Sequence, residues 1–158
     1  MGNLSKARSE QALYSAWHRQ ELRRPRAREG CLDPYDQDML AKVKLSEKFA
    51  RFDEPWSPKI VAELNDAYVK VVKLEGQFVW HRHDDEDELF WVVSGRLRME
   101  PRDGEVVLEP GELLVVPRGV EHRPVAEGET HVVLIEPKTT LNTGNVKSER
   151  TLAKLDRI

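Results

Sequence analysis

The pattern of hydrophobic and polar positions changes its period at about residue 60. Beyond that point, apolar and polar residues form short alternating runs, and dipeptides such as Ser94-Gly95 and Pro110-Gly111 separate the runs. Short runs of this kind, with turn residues and no helical pattern between them, are typical of an all-β sandwich or barrel. The pattern predicts strands at 67–74, 77–83, 88–93, 96–101, 105–108, 112–116, 121–125 and 130–136.

The residues before this change are typical of helices and linkers. Residues 5–24 are rich in helix formers but carry only a thin apolar stripe, and Pro25 ends them. So weakly amphipathic a helix is marginal on its own, so we expect 1–38 to be a helical or mobile N-terminal extension. Residues 39–59 predict a lead-in helix over 40–52 followed by a linker.

The predicted strands fall in one domain, 60–138, and a polar C-terminal tail follows at 139–158, with a short helix predicted over 149–155. Of the 158 residues, 39% are hydrophobic and 34% are charged, a balance that supports one core without disulfides. Apolar positions in phase with the strands should fill it: Phe78, Phe90, Val92, Leu97, Met99, Leu114, Val116, Val133 and Ile135.

The charge is unevenly distributed. Residues 1–30 carry seven Lys or Arg residues against three Glu, a net charge of +4, which leaves −7 for the rest of a chain whose total is −3. An acidic body repels phosphates, so we expect no nucleic-acid partner for the core.

Compartment and membrane association can also be predicted. Cys31 is the single cysteine, so no disulfide can form within the chain, as expected of a cytoplasmic protein. No apolar run is long enough to span a bilayer, and residues 1–6 lack the apolar core of a secretory signal. Met39 is an alternative start, which the intact mass of the native protein would test. We expect a cytoplasmic protein with no membrane partner.

The residues with the clearest chemistry are His81, His83 and Glu88, joined by a distant His122. Two histidines two apart on a strand project from the same face, and Glu88 opens the next apolar run. Imidazole and carboxylate groups that converge from neighbouring strands suit a divalent transition metal, here iron, manganese, nickel, copper or zinc. The sequence therefore predicts a metal site made of these four residues.

Other polar residues have weaker claims to the site. Asp87 is an alternative carboxylate ligand, but it is out of register with the motif that contains the two histidines, so Glu88 is preferred. The remaining acids of 84–87 are expected to be solvated in a turn. His131 lies in a strand rich in Val and Leu and is expected to be structural. Arg118, in the turn before His122, could bind an anionic group but is expected to be solvated.

These residues lie in two motifs that resemble those of the cupin family. The first runs Gly, His-x-His, Glu, Gly and the second Gly, Pro-x-Gly, His; here they read Gly76, His81, His83, Glu88 and Gly95, then Gly111, Pro117, Gly119 and His122. The spacer after Gly76 is one residue shorter than usual, and Ala126 stands where an Asn often closes the second motif. Asn142-Thr143-Gly144 after the last strand is also similar to small single-domain cupins.

The resemblance implies a double-stranded β-helix, the jelly-roll barrel, and a metal-binding protein that acts on or binds a small molecule. Dioxygenase-like oxidoreductase or isomerase chemistry would fit, and a non-catalytic ligand-binding or sensor module is the alternative. No catalytic residue can be assigned. Trp80 and Trp91 should face outward, against another sheet, a terminal segment or a second subunit, and we expect a homodimer.

Overall fold

The computed structural model of the protein describes residues 41–158, so the predicted helix over 5–24 and the linker over 25–38 lie outside the described residues. Within 41–158, one short helix precedes seven strands. In chain order these are α1 (Leu45–Phe49), β1 (Lys59–Leu64), β2 (Ala67–Gln77), β3 (Glu88–Ser94), β4 (Leu97–Pro101), β5 (Val106–Leu108), β6 (Leu113–Val116) and β7 (His122–Pro137). The fold is all-β, as predicted.

Strand β7 organises the sheet, because three other strands pair with it. The main path of hydrogen-bonded strands is β1-β2-β7-β3-β6, and β4 pairs with β7 and with β5. All of these pairings are antiparallel. The last half of β7 lies between β2 and β3, whereas its first half pairs with β4. This arrangement is the predicted double-stranded β-helix.

The inner face of the barrel forms the main core. Residues that alternate along the strands point inward and are buried, as expected for sheets with one packed face. The cluster contains Val72, Leu74, Phe90, Val92, Leu97, Met99, Leu108, Val116, Ala126, Val132 and Leu134, with Leu114 packed against it. Most of the predicted core positions are therefore confirmed.

A second apolar layer covers part of the outer face. Phe49 and Phe52, at the end of α1 and just beyond it, pack with Val71 of β2 and Val133 of β7. Val133 and Ile135 thus belong to this outer layer and not to the barrel interior. The layer does not extend over β6, where Leu113 is 57% exposed.

Two predicted strand boundaries were wrong. The stretch 77–83 is not a strand: β2 ends at Gln77, and beyond it only His81 makes an isolated bridge, to His122. The predicted strands 121–125 and 130–136 are one continuous strand, β7. Gly128 lies within that strand as an irregular position and does not open a turn, because β2 pairs with residues on both sides of it.

The structure also corrects the helices and adds a strand. The lead-in helix spans only Leu45–Phe49, a shorter range than predicted, and β1 was not predicted at all. The helix predicted over 149–155 is wrong, because that segment consists of turns and bends. Ile158 lies against β1, where its N–H donates to the carbonyl of Ile60 at 3.0 Å.

The C-terminal segment also contacts the loop that carries His83. The backbone N–H of Asn145 donates to the Arg82 carbonyl, and the Arg82 N–H donates to Asn145 Oδ1, each at 3.0 Å. Gly144 has a φ of +50°, and a Cβ placed there would overlap the Arg82 carbonyl oxygen and lie 3.3 Å from His83 Nδ1. Only glycine allows this close approach.

We expect Gly144→Ala to lower the free energy of unfolding by more than the strain of a positive φ, which costs about 1–2 kcal/mol. The excess arises from the overlap with Arg82. Gly76→Ala is the matched control, because Gly76 has a φ of +72° and open space around its Cβ position. Chemical denaturation measures both variants, and an equal loss in the two would contradict the proposed close approach.

Candidate metal centre

The fold brings His81, His83, Glu88 and His122 together. Glu88 is the first residue of β3 and His122 the first of β7, while His81 and His83 lie in the irregular segment between β2 and β3. The backbones of His81 and His122 exchange hydrogen bonds of 3.1 and 2.9 Å. All four side chains are buried, and one donor atom from each lies within 4.8 Å of every other.

Backbone carbonyls orient two of the imidazole rings. The Nδ1 atom of His81 lies 3.0 Å from the Val79 carbonyl, and that of His122 lies 2.9 Å from the Val120 carbonyl. A carbonyl oxygen can only accept a hydrogen bond, so each Nδ1 carries a proton, and in the neutral form of each ring Nε2 offers its lone pair. This is the outer support that metal-binding histidines commonly have.

Three of the donor atoms are spaced as they would be around one ion. Glu88 Oε2 lies 3.3 Å from His83 Nε2 and 3.4 Å from His122 Nε2. Neighbouring donors about 2.1 Å from a shared ion would lie about 3.0–3.4 Å apart. These three atoms are buried without a hydrogen-bond partner among residues 41–158, an arrangement that is costly unless a cation satisfies them. The residues present therefore fit a divalent metal.

Burial and mutual proximity shift the pKa values of this cluster. Burial, with the neighbouring His122, lowers the pKa of His81 to about 4. Burial alone would raise the pKa of Glu88, but the adjacent imidazoles of His122 and His83 outweigh it and lower the pKa. At neutral pH, Glu88 is therefore a carboxylate and His81 is neutral, the forms that bind metals.

The pKa of His83 is shifted the other way. Burial would lower it, but the carboxylate of Glu88 outweighs that effect and raises the pKa of His83. Without a cation, the Glu88 carboxylate favours a proton on His83. A bound cation would replace that proton, so metal binding should weaken as the pH falls.

The structure separates Glu88 from the other nearby acids. Asp87, the alternative ligand, is exposed and accepts a hydrogen bond of 2.9 Å from the backbone N–H of Arg118, whose side chain pairs with it at 3.3 Å. Asp84 pairs with Arg82 at 2.7 Å. Glu88, and not Asp87, therefore lies with the three histidines, and Arg118 is held by a carboxylate of the chain.

Two other residues singled out in the sequence lie apart from the cluster. His131 stacks on Phe49 with ring centroids 4.3 Å apart and lies 2.8 Å from a Glu129 carboxylate oxygen, which is a packing role. Trp80 is half-buried, with the guanidinium of Arg102 4.0 Å from its ring centroid. It therefore packs against side chains of its own chain.

A cavity opens beside the cluster, and His81 and Glu88 form part of its wall. Its other walls are mainly apolar and include Trp56, Phe78 and Phe90. The free space is about 390 Å³ when the open mouth is counted, but only about 30 Å³ can hold the centre of a water-sized molecule. One or two waters, or one small group of a ligand, would fill that part.

The same cavity contains a charged residue that the sequence analysis missed. Glu136 of β7 lines the wall, and its Oε1 pairs with Lys70 Nζ of β2 at 2.5 Å. Burial, with the nearby Glu88, raises the pKa of Glu136 to about 8, although Lys70 opposes this. The alternation of the strands contained the signal, because Lys70 is in phase with the buried Val72.

Comparison with known proteins supports the fold and the family resemblance. The family model Cupin_2, described as "Cupin domain", matches residues 68–137. The uncharacterized protein YdbB of Bacillus subtilis (strain 168) is 34% identical over 104 residues, which are 65% of this chain and 86% of YdbB. A crystal structure of a cupin-2 domain containing protein from Shewanella frigidimarina NCIMB 400 is 46% identical with a TM-score of 0.60, covering 61% of this chain and 94% of that one.

The fold, the two motifs and these relatives define a cupin barrel, and the chain belongs to the cupin family. A more distant relative is acireductone dioxygenase 1 of Coprinopsis cinerea (strain Okayama-7 / 130 / ATCC MYA-4618 / FGSC 9003), which is 36% identical over 88 residues. The match covers 49% of this chain and 48% of that enzyme. Among residues 41–158, no helix has the length and apolar character needed to cross a membrane.

The lowered pKa of His81 predicts how the metal-free protein responds to acid. The pKa of the His81 side chain is 6.5 in the unfolded chain and about 4 in the folded chain. The stability that neutral His81 contributes is therefore fully present above pH 6.5 and is lost as the pH falls from 6.5 to 4. The full effect amounts to about 3 kcal/mol. In chelator, His81→Gln should lose less stability than wild type between pH 6.5 and 4.5. Equal losses would show that His81 does not titrate in this way.

Proposed function

We propose that this protein is a metal-dependent cupin that binds and acts on a small molecule. The observation that carries the proposal is the buried cluster of His81, His83, Glu88 and His122, whose donor atoms lie at metal-ligand spacing beside a cavity. Iron, manganese, nickel, copper and zinc all accept mixed imidazole and carboxylate ligands.

The residues of the cluster have separate roles in this proposal. Three neutral imidazoles and the Glu88 carboxylate, which together carry one negative charge, would hold a divalent ion. A bound ion would act as a Lewis acid toward an oxygen atom of the ligand, and iron would also provide oxygen chemistry. The apolar walls, such as Phe90, keep bulk water from the ligand.

We propose oxidoreductase chemistry of the dioxygenase type as the reaction class, with isomerase chemistry as the second choice. The similarity to acireductone dioxygenase 1 supports the first choice, although the matched region is about half of that enzyme. Glu136 also supports an enzyme over a binding module, because it places a titratable group in the wall of the cavity beside the cluster.

A non-catalytic module that binds a small ligand is the alternative function. The mainly apolar wall of the cavity favours it, because such a wall can bind a ligand without reacting with it. The two functions differ in turnover, and the metal directs the search. Iron would direct assays to oxygen consumption, whereas manganese, nickel or zinc would direct them to isomerisation and ligand screens.

We also propose a cytoplasmic location, on the basis of the single cysteine, Cys31.

Elemental analysis of untagged protein, purified without added metal or chelator, tests the metal site. We expect about one ion per chain in wild type and almost none in His122→Ala, because the ion loses one of its four protein ligands. His131→Ala is the matched control, since His131 is also a histidine of β7 but packs on Phe49. Equal metal in His122→Ala and wild type would contradict the site, as would a wild type that neither contains nor takes up metal.

We propose further that two copies of the chain associate through the outer face of β3 and β6. Trp91 pairs with Leu113 and Leu89 with Val115, so apolar side chains lie next to one another on this face. Trp91, Leu113 and Val115 are 40–57% exposed. An exposed apolar face of this kind is typical of an interaction surface.

Sedimentation velocity tests this dimer. We expect wild type to sediment as a dimer and Leu113→Arg as a monomer, because a charge would be buried in the interface. Leu64→Arg should remain a dimer, since Leu64 is equally exposed, at 57%, but ends β1 away from this face. A monomeric wild type, or a dimeric Leu113→Arg variant, would refute the proposal.

A further inference from the structure

A buried ion pair lies beside the candidate metal centre. Lys70 and Glu136 are on neighbouring strands, and each side chain is only 1% exposed. Taking two charges out of water is costly, and an apolar pair of similar volume is often equally stable or more so. A role in folding alone therefore does not account for this pair.

One atom of the pair is left without a partner. Lys70 Nζ contacts Oε1 of Glu136, whereas Oε2 is buried and has no hydrogen-bond partner among the described residues. Glu136 lines the same cavity as His81 and Glu88. A molecule in that cavity with a hydrogen-bond donor would satisfy this oxygen.

We propose that Glu136 is the catalytic base of this cavity and that its Oε2 takes the proton of a hydroxyl group on a small ligand bound there. The O–H bond of the ligand breaks, its electron pair stays on the ligand oxygen, and a new O–H bond forms on Oε2. Lys70 is a positioning residue that holds the carboxylate through Oε1. This inference rests on the proposed metal-dependent function.

The surroundings of Glu136 suit proton exchange. Lys70 from β2, Glu88 from β3 and His83 from the preceding loop are the charged or titratable groups that act on it. Burial and Glu88 raise the pKa of Glu136, Lys70 and His83 lower it, and a cation in the cluster would lower it further. A base with a pKa near the working pH both accepts and returns a proton efficiently.

The cavity also indicates the class of ligand. It has room for one small polar group of a ligand beside the cluster, and Trp56 and Phe78 are among the apolar residues of its wall. A compound with a hydroxyl group beside a carbonyl oxygen fits this arrangement. The oxygen would face the cluster of histidines and the hydroxyl would face Glu136.

Calorimetry with Co²⁺-loaded protein and acetohydroxamic acid tests the proposal without an activity assay. This probe is a small chelator with a hydroxyl group beside a carbonyl, and it gives up one proton when it binds metal ions. Titrations in buffers of different ionisation enthalpy count the protons released per molecule bound. In titrations at a pH above the pKa of Glu136, where its carboxylate is ionised before the probe binds, we expect nearly none from wild type, because Glu136 keeps the proton, and about one from Glu136→Gln.

Two further variants keep this test decisive. Lys70→Met/Glu136→Gln serves if Glu136→Gln fails to fold, because it removes both charges and leaves no unpaired buried ammonium group. It should also release about one proton. Glu129→Gln is the matched control, because Glu129 is an exposed carboxylate of the same strand. It should behave as wild type.

The outcomes separate the two proposals. If wild type binds no Co²⁺ by elemental analysis, the proposed function is contradicted and this inference falls with it. If Co²⁺ binds, three results overturn only the role of Glu136: equal proton release from wild type and the Gln variants, release of a full proton by wild type, or no binding of acetohydroxamic acid.

Discussion

The structure depends on one buried carboxylate. Glu88 is 5% exposed, and its Oε2 lies within 3.4 Å of Nε2 atoms on both His83 and His122. A carboxylate withdrawn from water in this way requires positive charge close by, either protons on the imidazoles or a cation. Because these nitrogens have no other partner in the part of the chain that the structure describes, the cluster is best satisfied by a shared ion.

The rest of the fold holds these groups in place. Strand β7 carries His122 at its start and Glu136 near its end, so one strand contributes both to the cluster of four residues and to the buried ion pair. The segment after β7 supports the loop of His83 through Gly144 and Asn145. The C-terminal residues, which the sequence suggested to be a simple polar tail, thus pack against both the site and β1.

Much of this could be predicted from the sequence. The alternating runs predicted the all-β class, and the spacing of two motifs predicted which four residues meet, although His83 and His122 are distant in the chain. The strand predicted over 77–83 was wrong because residues that line a site can alternate without pairing. Gly128 suggested a turn, yet an extended strand also accommodates a glycine.

The buried ion pair could not be recognised in the same way. The sequence alone does not distinguish a lysine or glutamate that is buried among apolar residues from one that is exposed on a strand. Only the pairing of β2 with β7 shows that Lys70 and Glu136 meet inside the barrel. The length of the lead-in helix was overestimated because its end also depends on tertiary packing. Helix formers continue past Phe49, but packing of Phe49 and Phe52 on the sheet determines where the chain turns.

Anomalous diffraction from a crystal of metal-loaded protein, recorded at the absorption edge of the bound metal, tests the central claim most directly. We predict one strong peak about 2.0–2.2 Å from the Nε2 atoms of His81, His83 and His122 and from a Glu88 oxygen. A peak at the exposed acids of 84–87, or no peak among the four residues, would contradict this account.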